Sequence, residues 1–499
     1  YSTKGISMKY ILAIDQGTTG SRAIIYDKKG AQVASAYKEF PQIFPKPGWV
    51  EHDPEHIWKS VNSAVQKVCA KVPAGSIAAI GITNQRETTV IWDAETGKAV
   101  YNAIVWQCRR TAARCEQLKK KKGEQALFRK KTGLPIDAYF SATKIEWILK
   151  NVPGAKAKAK KGKLRFGTTD TWILWKLTGG KTHATDHTNA SRTMLYNIDK
   201  LKWDSALLKR FGIPENILPE VKNSSGIFGE TVRTGKLPAG IPVAGIAGDQ
   251  QAALFGQTCF EPGTMKNTYG TGSFVLMNTG KKRPVSKHGL IVTLACGASG
   301  GPVYALEGAI FVAGAAVQWL RDGLGLLRKA SDSEKMAGKI GNNEGVYFVP
   351  ALTGMGAPYW DGDARGMISG ITRGTKKEHI VRAALEAMCY QTKDVIEAMR
   401  KDTGLIIKDL KVDGGAVSNG FLCQFQADML GVSIIRPRII ELTSLGAAYL
   451  AGLAVEYWKN TAEIKRYWKK ERAFRPRMLR KDADKLYSGW KNAVSKVLS

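Results

Sequence analysis

Two α/β lobes are what this 499-residue sequence predicts, on three observations. The chain is long enough for about two to four domains, each burying its own core. Strand-like and helix-like patterns alternate from about residue 54 onward, as they do in α/β proteins. A Gly/Thr turn that follows a strand near the start, DQGTTGSR, has a counterpart, YGTGS, at 269–273.

The opening elements are short. YILAID, RAIIYD and QVASAYKEF are β-rich runs joined by tight spacers such as KKG, which predicts antiparallel hairpins rather than a crossover helix. Asp53-Pro54 then starts a helix by the cap-then-proline rule, and IAAIGIT at 77–83 reads as a strand. A second lobe is expected from about 254, giving domains 8–253 and 254–499. It carries the amphipathic stretch GAIFVAGAAVQWL, the long helical segment HIVRAALEAMCYQTKDVIEAMRK, and a strand leading into DGGAVSNG. No short-period solenoid repeat is visible.

Composition narrows the function classes. No run of about 18 apolar residues exists, and the N-terminal YSTKGISM lacks the apolar core of a secretory signal, so a cytoplasmic chain is expected without membrane insertion. Seven cysteines without a CxxC pair read as reduced, mostly buried thiols. The net charge of +32 includes lysine-rich blocks at 119–122, 129–131 and 156–163. These blocks lack the aromatic residues that single-stranded nucleic-acid sites interleave with basic ones. They therefore read as solvated faces, with weak electrostatic adhesion to polyanions and no specific nucleic-acid site.

A Gly/Thr turn behind a strand offers backbone N-H groups and hydroxyls to an anion such as phosphate. No GxxxxGK[ST] motif occurs, and GTGSFV lacks the third glycine of a dinucleotide fingerprint. One such turn alone reads better as a plain structural turn; DQGTTGSR, YGTGS and DGGAVSNG together with Asp15 at a strand end suit ATP better. Magnesium needs only one or two carboxylates beside phosphate oxygens, and Asp15 is placed for that, or for capping the turn. The pairs His52/His56 and His183/His187 are not read as metal sites, because Asp53-Pro54 interrupts the first and a threonine-rich, β-like segment holds the second.

With these loops in place, the sequence resembles the FGGY family of carbohydrate kinases over roughly residues 9–495. The segments carrying the resemblance are DQGTTGSRA, PKPGWVEHDP, GITNQRETT, YNAIVWQCRR, GTTDTWILWKLT, TNASRTMLYNI, GIAGDQQAALFGQ, KNTYGTGSF, TGMGAPYWD, VDGGAVSN and LGAAYLAGLAV. YFSATKIEWILKN and GMISGITRGTKKEHIVRAALE follow the broader family patterns. The resemblance implies two actin-like, ribonuclease H-like ATPase domains facing across a cleft, and members of the closest pattern phosphorylate glycerol with Mg-ATP to give sn-glycerol 3-phosphate.

Carried over by motif, Arg86, Glu87, Tyr139, Asp249 and Gln250 would bind the glycerol hydroxyls, and Trp106 and Phe274 would face its carbon edge. Asp249 would be the catalytic base. Thr18, Thr19, Arg22, Thr271 and Gly272 would hold phosphates, Gly314, Gln318, Gly415 and Asn419 the adenosine side, and Asp15 the magnesium ion. These residue types suit the chemistry, since a small triol offers little apolar surface and must be read by aimed donors and acceptors. Taken singly, Arg86 with Glu87 could be a surface ion pair and Trp106 or Phe274 core aromatics. The family also implies a homo-oligomer, dimer or tetramer. The stretch GETVRTGKLPAGIP does not match the Gly/Arg-rich loop with which some members bind fructose 1,6-bisphosphate. A kinase for a larger polyol such as xylulose or gluconate, and a cationic binding protein on a kinase-like scaffold, are the rival readings.

Overall fold

The computed structural model describes residues 10–498, so YSTKGISM lies outside the described residues. The chain divides into two compact units. The first runs to Thr258 and also takes in Thr293–Val303 and Leu442–Trp468; the second holds Cys259–Val292, Tyr304–Glu441 and Lys469–Ser499. The first break falls close to the division expected at 253/254, but two later segments return to the first unit.

The first unit is built on a six-stranded sheet. Tyr10–Gln16, Gly20–Tyr26 and Gln32–Glu39 form an antiparallel meander, with Asp15 opposite Arg22 across its first hairpin. On the other side of Tyr10–Gln16 lie Ile77–Asn84 and then Pro242–Gly248, both parallel to it, with Ser225–Glu230 antiparallel at the edge. Helix Pro54–Cys69 starts where its sequence says it should, with the Asp53 carboxylate accepting from Glu55 N at 2.8 Å. Its Val61 and Val65 pack with Leu12, Ile14, Ile80, Ile82 and Ile246 in one core.

Because side chains alternate along a strand, Gly81, between Ile80 and Ile82, looks to the opposite face. A Cβ there would collide with the Ala447 carbonyl of helix Leu442–Ala454. Gly446 on that helix would in turn meet the Ala252 carbonyl of helix Asp249–Gly256. Backbone-to-backbone contact is what draws 442–454 onto this sheet.

The second unit repeats the strand order. Met265–Tyr269 and Ser273–Gly280 are an antiparallel hairpin, Pro302–Ile310 pairs antiparallel with the latter, and Asp409–Asp413 and Ser433–Pro437 follow in parallel on the other side. Lys470–Phe474 closes that edge. Beyond the paired Gly/Thr turns, the duplication is one of topology rather than of sequence. The long helical segment is helix Lys377–Thr403. GAIFVAGAAVQWL is not one element: Gly308 to Ile310 finish a strand and the helix begins only at Gly314. A run of small and β-branched residues satisfies both periodicities, and pairing with Ser273–Phe274 decides for strand.

All seven cysteines are free and buried. The lysines of 119–122, 130 and 156–163 are exposed or partly exposed, several with acidic neighbours: Lys119 to Glu116 at 2.7 Å, Lys158 to Asp93 at 3.0 Å, Lys163 to Glu95 at 3.2 Å. Among the described residues no helix is long and apolar enough to cross a membrane.

Candidate active site

Three adjacent parallel strands of the first unit end at the same level, since Asp15 is in register with Thr83 and Gly248 with Asn84. The residues just past these ends are Gly17 to Thr19, Gln85 to Thr88, and Asp249 to Gln251. Carboxyl ends of parallel strands are where α/β sheets place their ligands, because the chain there is released from the ladder and its side chains converge.

Arg86 is the hub. It is buried, donates through Nη1 to Gln251 Oε1 at 3.1 Å and through Nη2 to Tyr139 OH at 3.4 Å, and sets Nε 3.3 Å from Asp249 Oδ1. The same Nε is 3.7 Å from Glu87 Oε1. The Glu87 side chain is 2% exposed and that of Asp249 31%, so Asp249 alone of the two carboxylates is substantially open to solvent. Gly248 makes room for this arrangement: a Cβ would lie 2.8 Å from both Cγ and Cδ of Arg86. Asp249 is the first residue of its helix, and Gln250 N donates to its Oδ1 at 2.7 Å.

Tyr139 is held by its own backbone. Its N-H donates to Asp137 Oδ1 at 2.8 Å, and its carbonyl accepts from Lys144 Nζ at 2.5 Å. Burial pushes the Lys144 ammonium down to about 8. Trp106 packs edge-on against the Tyr139 ring at 5.7 Å and donates from Nε1 to Thr18 Oγ1 at 3.0 Å, tying the first hairpin to the Arg86 cluster. A hydroxyl that accepts from an indole keeps its own proton for another acceptor, as phosphate recognition requires. Thr19 Oγ1 lies 3.3 Å from Tyr37 OH, and the Arg22 guanidinium stands 5.5 Å from the Tyr37 ring centre. In the hairpin itself Gly17 N donates to Gly20 O at 2.9 Å.

Asp15, expected to serve magnesium, is half-buried at the end of its strand, opposite Arg22; a single carboxylate suffices for a hydrated cation held chiefly by phosphate and water. Among the described residues no cluster of three or more His, Cys, Asp or Glu could hold a metal unaided. His52 is buried, with Nε2 2.7 Å from Gln42 Oε1 and burial driving it down to about 4. His183, equally depressed by burial, has Nε2 2.8 Å from Phe166 O.

The second unit gathers the other expected residues. Its hairpin turn closes with Gly270 N donating to Gly272 O at 2.8 Å. The carbonyls of Gly270 and Thr271 accept from Gly314 N at 3.0 Å and from Ala313 N and Ala315 N at 2.9 and 3.0 Å. The leading N-H groups of helix Gly314–Asp322 are thus taken up by the hairpin. A Cβ on Gly272 would be 2.6 Å from Ile310 O and one on Gly314 2.6 Å from Gly270 O, so both glycines serve close backbone approach. Gln318, one turn along that helix, is exposed, as is Thr271. Gly415 opens the short turn Gly415–Ser418, which ends at Asn419. Asn419 caps helix Gly420–Leu430 through Leu422 N at 3.0 Å and donates to Ser333 Oγ at 3.3 Å. Phe274 is half-buried, opposite Thr268.

Residues 10–256 match the N-terminal domain of the FGGY family of carbohydrate kinases and 265–455 its C-terminal domain. The chain belongs to this family. It is 60% identical over 494 residues to a glycerol kinase of Carboxydothermus hydrogenoformans, covering 99% of each chain. A glycerol kinase of Alkaliphilus metalliredigens is 59% identical over 492 residues, 98% of each. Among solved structures, Plasmodium falciparum glycerol kinase with ADP superposes at a TM-score of 0.91 with 39% identity and 99% coverage of both chains. A xylulose kinase of Lactobacillus acidophilus shares the fold at a TM-score of 0.87, 24% identity and 98% coverage of both chains.

Motif reading missed the residues that hold the site residues in place: Gln251 on Arg86, Lys144 behind Tyr139, and Thr88, whose Oγ1 accepts from Trp106 N at 3.2 Å. Each lies inside a quoted motif, within five residues of a named one or directly beside it in GDQQ, YFSATK and NQRETT. That adjacency was the available signal.

Proposed function

We propose that this chain transfers the γ-phosphoryl group of Mg-ATP to glycerol, giving sn-glycerol 3-phosphate and ADP. The observation that carries the reading is the convergence of Arg86, Glu87, Tyr139 and Asp249 past the ends of adjacent parallel strands. This is a compact set of opposed donors and acceptors of the size and polarity of a triol. Near-full-length identity of 59–60% to glycerol kinases supports the same substrate.

In this reading Arg86 donates to substrate hydroxyls, while Glu87 and Gln250 accept and Trp106 and Phe274 cover the carbons. Asp249 takes the proton of the attacking hydroxyl as its oxygen bonds to phosphorus and the bond from phosphorus to the ADP oxygen breaks. The transition state of such transfers is loose, so fixing the hydroxyl in line matters more than a strong base. Asp249 is suited to that, anchored by Arg86 yet open to solvent. Thr18, Thr19, Arg22, Thr271 and Gly272 hold phosphate oxygens, and Gly314, Gln318, Gly415 and Asn419 the adenosine. Asp15 holds the magnesium ion, which supplies charge neutralisation on the phosphates. A cytoplasmic location, a homo-oligomer, and domains dividing near 253/254 belong to this reading on family grounds.

The test is ADP release with Mg-ATP at about 0.15 M salt, across glycerol, dihydroxyacetone, xylulose and gluconate, beside Asp249→Asn. Saturable turnover with glycerol, reduced about 10²- to 10⁴-fold in the variant, is expected of a lost general base. Preference for a larger sugar overturns the substrate; full activity of the variant overturns the base.

A further inference from the structure

Glu87 is a buried carboxylate in a left-handed backbone conformation, φ 61°, which a residue other than glycine adopts only when its surroundings enforce it. Ser141 Oγ and Thr89 Oγ1 donate to its carbonyl at 3.1 and 3.2 Å. On its carboxylate, Arg192 Nε donates to Oε1 at 2.6 Å, much closer than Arg86 Nε at 3.7 Å. The Arg192 side chain is fully buried. Its guanidinium carbon also lies 5.5 Å from the Tyr139 ring centre and 5.3 Å from that of Phe140.

We infer that Arg192 is a positioning residue for polyol recognition: it fixes the charge and direction of Glu87 and supports the Tyr139 ring, so that both meet the substrate already oriented. This rests on the glycerol reading above. The two partners are suspended from one point. Asn84, three residues before Glu87, and Asn189, three before Arg192, exchange side-chain amide bonds at 3.0 and 3.1 Å. Asn189 also donates to Asp186 Oδ1 at 2.9 Å, and Arg192 N to Asn189 O at 3.0 Å. Asp186 caps the turn between them through Thr188 N and Asn189 N at 2.9 and 3.0 Å. Such a network orients a site by leaving its groups no alternative partner. An arginine serving packing alone would need no carboxylate, whereas this one pairs with a residue that faces the substrate.

The experiment is a double-mutant cycle in the full-length enzyme with Glu87→Gln, Arg192→Gln and the pair, reading kcat and KM for glycerol and for ATP, with Arg192→Lys alongside. Arg192→Gln should raise the glycerol KM about 10- to 100-fold, the size of a lost charge-assisted hydrogen bond. The ATP KM should stay within about twofold, as expected for a change confined to one substrate's binding. Arg192→Lys should recover part of the loss. The pair should be no worse than Glu87→Gln alone, because a residue acting through another is not additive with it. Additive losses, or glycerol and ATP constants moving together, overturn the inference. If Arg192→Gln does not fold, by thermal melting, the cycle is run with Arg192→Lys and the same criteria decide. Absence of glycerol turnover in the unmodified enzyme overturns the proposed function and this inference with it; turnover with an additive cycle overturns only the inference.

Discussion

The two hairpin turns occupy the same place in the same strand order and are chemically unlike. In the first, the pair one step back from the turn is Asp15 opposite Arg22; in the second it is Thr268 opposite Phe274. The first turn's hydroxyls are bonded to the side chains Trp106 and Tyr37, whereas the second turn's carbonyls are consumed by the start of a helix. One scaffold, used twice, therefore presents charge at one turn and close-packed neutral backbone at the other. Duplicated topology does not entail duplicated chemistry.

The largest expected effect tests the charged turn. Asp15→Asn should lower turnover about 10²- to 10³-fold, the usual size of a lost electrostatic contact to reacting phosphate, and raise the magnesium concentration needed for half-maximal ADP release. A variant with unchanged magnesium dependence would place the cation elsewhere. Next comes the neutral turn. Gly272→Ala drives a methyl against the Ile310 carbonyl, 2.6 Å away, so it should cost about 1–3 kcal/mol in thermal unfolding and raise the ATP KM. Equal tolerance of alanine at Gly272 and at solvent-facing Gly415 would deny the close-approach role.

A smaller effect is expected where the first turn meets an aromatic side chain. Trp106→Phe removes the donor to Thr18 and should cost about 0.5–1.5 kcal/mol, a few-fold in kcat/KM. A further comparison sets the interiors of the two units side by side. Burial raises Asp170 in the first and Asp394 in the second to about 6. A carboxyl whose folded value lies above its unfolded one contributes stability that is full below about pH 4 and is lost as pH rises through about 6. Replacing either with asparagine should flatten the pH dependence of the melting temperature between pH 4 and 6. An unchanged slope would show that the group does not titrate there.

The meander, the helix opening at Pro54 and the long helix 377–403 were legible because alternation, capping and periodicity are local signals. Arg86, Glu87, Tyr139 and Asp249, which the fold brings together, were singled out through motifs, which preserve a residue together with its neighbours. What was hidden is non-local: Arg192 meeting Glu87 across 105 positions, or Gln251 meeting Arg86 across 165, leaves no trace in spacing. The strand-to-helix change inside GAIFVAGAAVQWL was hidden for a related reason, since only pairing with Ser273–Phe274 distinguishes its two halves.

Helix Leu442–Ala454 also has a consequence for synthesis. The first unit's chain is otherwise nearly complete at Thr258, yet the helix that covers one face of its sheet leaves the ribosome about 180 residues later. At roughly 5–20 residues per second, that face waits on the order of 10–40 s for its cover. During that interval the nascent chain exposes apolar strands Ile77–Asn84 and Pro242–Gly248 along their glycine-bearing side. Chaperone engagement during translation should concentrate in that window.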